Sequence, residues 1–215
     1  MPAAGRGGVP ARQWALIGSL FLAVALANIA QPYPQLAPLQ HAPTLLLCLA
    51  APWLLRRWPL STGSVALVWL FFLLHTLGGR YIYSYVPYDG WVAAATGRTL
   101  SAMFGWERNG YDRLIHLLFG LLGTPVLAEI ARRHGGLGRR AAWLMAFALI
   151  GLVSALYEIF EWLLTLIAAG DTADYYNGQQ GDIWDAQKDM AIAQAGSLVA
   201  WVSDVLRRRT DQNPV

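Results

Sequence analysis

Charge is what this chain has least of. Of its 215 residues only 13% are charged and 56% are apolar. Soluble domains run near a quarter charged, so a water-soluble globular domain is disfavoured and a polytopic membrane protein is expected. Cysteine is almost missing. Cys48 stands alone in an apolar run, which excludes an internal disulfide and leaves packing as its expected role. No nucleophile–base triad, phosphate loop or nucleotide motif occurs, and no internal repeat is convincing. The Glu-x-x-His spacing of helix-bundle di-metal sites is also absent. The net charge of +3 comes from arginines beside the apolar runs. It reads as membrane topology, and no nucleic-acid partner is expected.

What is present is a set of apolar runs with charge alternating between their ends. Six runs approach the roughly 17–25 residues that cross a bilayer: residues 14–30, 43–58, 63–79, 114–131, 141–169 and 190–206. The second is short and carries Pro52. Arg6 and Arg12 precede the first run, and Arg56 and Arg57 join the second to the third. Arg132, Arg133, Arg139 and Arg140 join the fourth to the fifth, and Arg207, Arg208 and Arg209 follow the sixth. These are 11 of the 16 basic residues. Nearly all the acids sit at the opposite ends: Asp89, Glu107, Asp112, Asp171, Asp174, Asp182, Asp185 and Asp189. Because arginine stays cytoplasmic, the pattern predicts an all-α transmembrane bundle of six spans with both termini in the cytoplasm. Trp14, Trp53, Trp58 and Trp143 fall near the predicted inner interface, where an amphipathic ring is favoured.

One transmembrane domain over 14–206 is expected, between a disordered cytoplasmic N-terminus at 1–13 and a cytoplasmic tail at 207–215. A cleaved leader is the rival reading of the first run, with Arg6 and Arg12 before it and Ala25 and Ala27 as small cleavage residues. Retention is favoured because no polar mature segment follows. Pro32, Pro34 and Pro38 disfavour helix across 31–43. The long outer connection from Arg80 to Asp112 is too aromatic for a solvated linker. Its portion around Trp91–Phe104 is expected to lie flat on the outer interface or fold back over the bundle.

Ionisable residues within a bilayer are costly and usually face the bundle interior. Here they have helical spacing. Asp112 and His116 are four apart, and Glu158 and Glu161 are three apart, with Ser154 and Thr165 extending their stripe. Asp182, Asp185 and Asp189 share one face if helical, and His75 lies near the outer end of the third run. Four helices thus direct imidazole and carboxylate groups at one pocket in the outer half.

Such a pocket suits a divalent metal ion, with imidazole and carboxylate together fitting iron, manganese or zinc. Candidate ligands are His116, Glu158, Glu161, Asp185 and Asp189, supported by His75, Asp112 and Asp182. Candidate catalytic groups are Glu158, Glu161 and Asp185. Without a metal, clustered acids in a low dielectric would share protons, as in a proton relay. The bland readings are interhelical hydrogen bonding for His75, an N-cap or pairing with Arg108 or Arg113 for Asp112, and solvated loop acids for Asp171 and Asp174. Glu129 and Asp204 are expected to pair with neighbouring arginines, and Lys188 to neutralise an acid near Asp182. The glycine-rich stretch Tyr175–Asp182 reads as a hairpin or lid over the pocket.

Several motifs carry a resemblance. They are His75-x-x-Gly78 with Tyr81-x-Tyr83 and Pro87, then Arg108-Asn109-x-Tyr111-Asp112-Arg113-x-x-His116-x-x-x-Gly120. Tyr157-Glu158-x-x-Glu161-Trp162 and Gly178-x-Gln180-Gly181-Asp182-x-Trp184-Asp185-x-Gln187-x-Asp189-Met190 follow. Together they resemble the YjdF-like family of uncharacterised bacterial inner-membrane proteins, across most of residues 15–206. The aspartate-rich start of the sixth run is also similar, more distantly, to VanZ-like membrane proteins. The resemblance implies a multi-pass inner-membrane protein and supplies no reaction.

From the residues, a metal-dependent membrane enzyme acting on a lipid or envelope substrate is the leading expectation. A proton- or cation-coupled permease and a structural, partner-binding membrane protein remain alternatives. Few polar residues occupy the inner halves of the third to fifth runs, which leans against a through-pathway.

Overall fold

The computed structural model describes residues 8–167 and 180–212, the last four as helix backbone only. Asp171, Asp174, most of the glycine-rich stretch, the end of the fifth apolar run and both extreme termini lie outside the described residues.

The described residues form eight helices and no strand: α1 (Ala11–Ala27), α2 (Ala37–Arg57), α3 (Thr62–Arg80), α4 (Tyr88–Thr96), α5 (Leu100–Phe104), α6 (Tyr111–Arg133), α7 (Arg139–Ile167) and α8 (Asp185–Gln212). Of these, α3, α6 and α7 are long and apolar enough to cross a membrane, and α1 is apolar but has 17 residues. Prolines and polar groups dilute α2, and α8 carries acids and bases at both ends.

The helix ends differ from the apolar runs, for local reasons. α2 begins at Ala37 rather than at Pro43, so helix covers residues where prolines argued against it. Pro38 falls in the first turn, where a missing N–H costs nothing. Pro43 and Pro52 lie inside the helix. α1 stops at Ala27, and Arg80 of α3 donates to the carbonyls of Ala27 (2.6 Å) and Ile29 (2.8 Å). α3 starts on Ser61, whose Oγ accepts from the Ser64 N–H at 3.2 Å.

α6 is the hub, packing against α3, α7 and α8. α1 packs on α2 and α3, burying Ile17, Leu20 and Cys48 beneath Trp69 and Phe72. Cys48 is therefore a packing residue. The α6–α8 contact is the closest. A Cβ on Gly120 would stand 1.9 Å from the Ala193 carbonyl oxygen, and one on Gly196 would stand 2.2 Å from that of Leu117. Only glycine lets the two backbones approach so far. Thr124 Oγ1 and Ser197 Oγ meet at 2.7 Å across the same seam.

At the arginine-rich end, Glu129 accepts from the Ser61 N–H (2.7 Å), Ser61 Oγ (2.6 Å), Ser64 Oγ and Arg133 (2.6 Å). Asp204 pairs with Arg139 and lies 3.5 Å from Arg208. Both acids are ion-paired, as their arginine neighbours suggest. At the other end the aromatic connection forms α4 and α5, leaving Trp91, Phe104 and Trp106 exposed.

Candidate functional site

The site lies where the acidic ends of α6, α7 and α8 converge. Asp112 and His116 share one face of the first turns of α6, and the close α6–α8 seam carries Asp189 against them. One ligand atom each from Asp112, His116 and Asp189 lie within 4.8 Å of one another. His116 Nε2 is 3.9 Å from Asp112 Oδ1 and 3.7 Å from Glu158 Oε1 of α7. Asp189 is 2% exposed and His116 8%. Asp189 Oδ1, Glu158 Oε1 and the nearby Ser154 Oγ are buried without a hydrogen-bond partner among the described residues. A buried carboxylate oxygen left unpaired is costly, so the cluster has acceptor capacity facing inward and unused.

A second layer binds the start of α8 to the start of α6. Arg108 reaches Asp185 through both terminal nitrogens, the longer contact being 3.3 Å. Arg113 Nη2 is 2.5 Å from Asp182 Oδ2 and 3.4 Å from Asp185 Oδ1. Lys188 Nζ reaches Asp182 at 2.6 Å. That Lys188 hydrogen bond, helped by the Trp184 N–H and Arg113, holds the Asp182 carboxyl down at about 2. Burial works against the Arg108 charge, but the hydrogen bond and field of Asp185 outweigh it and raise its pKa. The backbone N–H of Asn109 donates to Gln180 Oε1 at 2.9 Å, and Gln180 Nε2 donates to the Asn109 carbonyl at 3.1 Å. The Arg108–His116 and Gln180–Asp189 motifs therefore form one contact.

The arginines expected beside Asp112 engage Asp182 and Asp185 instead. Asp112, read from sequence as support, sits at the centre of the cluster, and Asp185 sits in the ion-paired layer. Glu161 lines a polar cavity of about 450 Å³ between α7 and α8, together with Glu158, Asp185 and Gln187. His75 Nδ1 meets the Tyr83 hydroxyl. Gly78 makes that contact feasible, because a Cβ there would stand 2.6 Å from the Tyr83 ring. His75, Asp112, His116 and Ser154 line a second cavity of about 320 Å³.

His41 is a residue the sequence reading passed over. It is 2% exposed on α2, and neither ring nitrogen has a partner among the described residues. It precedes Thr44, which lies 3.5 Å from Thr76 of α3. The three-residue spacing of His41 and Thr44 was a usable signal, hidden by the surrounding prolines.

A family model described as "Predicted membrane protein (DUF2238)" matches residues 12–210. The inner membrane protein YjdF of Escherichia coli (strain K12) is 36% identical over 146 residues, covering 66% of this chain and 65% of that protein. The match thus spans slightly less than two thirds of the relative's length. No solved structure matches. With the family model covering nearly the whole chain and several apolar helices present, the protein belongs to the DUF2238 membrane-protein family and is a multi-pass protein of the bacterial inner membrane.

Proposed function

We propose that this protein is a metal-dependent enzyme of the inner membrane, with its site in the outer half of a six-span bundle whose termini are both cytoplasmic. The topology rests on the segregation of arginine to alternate helix ends. α1, α2 and α8 complete the six, beside the three helices that qualify by length and composition. Phosphatase fusions at residues 95 and 178 should be active, and fusions at 60, 136 and 212 should be silent. Activity at 60 or 136 would reverse the orientation.

The metal reading is carried by one observation: three ligand atoms within 4.8 Å, beside carboxylate oxygens with no other partner. Two ligands of a four-coordinate ion at about 2.1 Å lie roughly 3.4 Å apart. The His116–Asp112 spacing of 3.9 Å needs only a small inward adjustment. One imidazole with two carboxylates suits zinc, manganese or iron better than magnesium or calcium. Three protein ligands with an open position is the arrangement of catalytic rather than structural sites. A divalent ion there would activate water as a nucleophile. Glu158, whose Oε1 lies 3.7 Å from His116 Nε2, would serve as the proton acceptor, and Glu161, which lines the same cavity as Glu158, would pass protons outward. Asp182 and Asp185 act on position, fixing α8 against α6 through the arginines. The tight α6–α8 seam beneath the cluster, where the backbones meet at Gly120 and Gly196, supports an enzyme over a permease.

Elemental analysis of protein purified without added metal should find about one equivalent of a transition metal. Protein free of metal, with a melting curve insensitive to chelator and to added ions, would instead favour proton sharing among the acids.

A further inference from the structure

The two cavities that meet at the cluster differ in character, and the apolar one opens sideways. α2 packs only on α1 and α3, and α7 only on α6 and α8, so α2 and α7 do not touch among the described residues. The 320 Å³ cavity fills that gap, floored by α3 and α6. Its body is apolar, built from Leu46, Phe72, Phe119, Val153 and Phe160. Its deep end is polar, with His75, Asp112, His116 and Ser154. Leu46 (65% exposed), Val153 (45%) and Phe160 (42%) form the open side. Those side chains would face lipid in a membrane, so the mouth admits hydrocarbon more readily than water.

We propose that this cleft takes one hydrocarbon chain of a membrane amphiphile, directly from the bilayer, and presents its oxygen-bearing head to the cluster. The proposal rests on the metal-enzyme reading and names its substrate class. The volume decides for one chain, being at the lower end of the roughly 300–1,000 Å³ of ligand pockets. The polarity gradient decides for an amphiphile: an apolar molecule would leave the buried Ser154 Oγ, which has no partner among the described residues, unpaired, and a polar one would leave the aromatic walls wet.

The test uses full-length protein in phosphatidylethanolamine vesicles containing a single-chain lysophosphatidate with a chain-terminal diazirine. After irradiation, labelled residues are mapped by mass spectrometry, and metal content is measured on the same samples. Labels should concentrate on Phe72, Phe119, Val153 and Phe160. Val153→Trp and Leu46→Trp, both at exposed positions that tolerate bulk, should each cut cleft labelling by at least about tenfold. Neither should change the metal content. Labelling spread evenly over lipid-facing helices, or unchanged by both tryptophans, would overturn the proposal. Cleft labelling in protein that binds no metal would sustain the lipid site and remove the enzyme reading. Stoichiometric metal without cleft labelling would do the reverse.

Discussion

Gly120→Ala should destabilise this protein severely, while Gly18→Ala should leave it intact or slightly stabler. Both glycines are inside helices, where alanine is intrinsically favoured by about 1 kcal/mol. Propensity therefore predicts the same gain at both. The surroundings do not agree. A Cβ at Gly18 meets nothing within 4 Å. A Cβ at Gly120 meets the Ala193 carbonyl oxygen at 1.9 Å and the Ser197 nitrogen at 2.7 Å. Both are backbone atoms and cannot swing aside. α6 and α8 must separate by more than an ångström, breaking the Thr124–Ser197 hydrogen bond as they do. Overpacking of this kind costs about 3 kcal/mol or more. Thermal melting in one detergent reads the difference directly. Equal melting temperatures for Gly120→Ala and the parent protein would show that the seam is looser than described. The same separation would draw Asp189 away from His116, so any metal dependence should disappear with the stability.

The helices were legible because apolar runs of bilayer length can do little else. Their ends were not, because contacts remote in sequence set them. The C-terminal carbonyls of α1 are satisfied by Arg80, some fifty residues away, so nothing near Ala27 announces the stop. The prolines around α2 pointed to a turn, yet Pro38 falls in the first helical turn, where its missing N–H costs nothing. The aromatic connection was readable as ordered, since eight aromatic side chains seek cover. Its division into α4 and α5 depends on Gly97 and Gly105 adopting left-handed backbone, with φ of 78° and 66°.

For the site, periodicity identified the participants and could not assign their partners. Asp112 and His116 lie four apart on one helix, so their alignment follows from helix geometry. Whether Arg108 and Arg113 face Asp112 or the aspartates of α8 depends on how α8 is rotated against α6. Backbone approach at Gly120 and Gly196 sets that rotation. Asp182 and Asp185 thereby receive the arginines, and Asp112, Asp189 and Glu158 are left around His116. A single sequence contains the glycines but not the consequence of their packing.

Asp189→Asn should abolish the stabilisation that a bound metal confers, and Asp182→Asn should not. Asp189 supplies one of the three clustered ligand atoms, and its Oδ1 has no competing hydrogen bond. An amide is a weaker and neutral donor, so affinity should fall by at least the roughly 10–100-fold seen when mere supporting groups are lost. At a hundredfold excess over Kd, a bound ion contributes about 2.7 kcal/mol through RT ln(1 + [L]/Kd). A hundredfold loss of affinity reduces this to about 0.4 kcal/mol, so the chelator-induced drop in melting temperature should nearly vanish. His116→Ala should do the same. Asp182→Asn instead weakens the pairs with Arg113 and Lys188. It lowers the baseline melting temperature while leaving the chelator response in place. Removing negative charge from a crowded acidic cluster also relieves repulsion, so metal-free Asp189→Asn should melt above the metal-free parent. That crossing, with the variant stabler than the parent without metal and less stable with it, separates a ligand from a structural carboxylate. Parallel curves for Asp189→Asn and the parent under both conditions would remove Asp189 from the site.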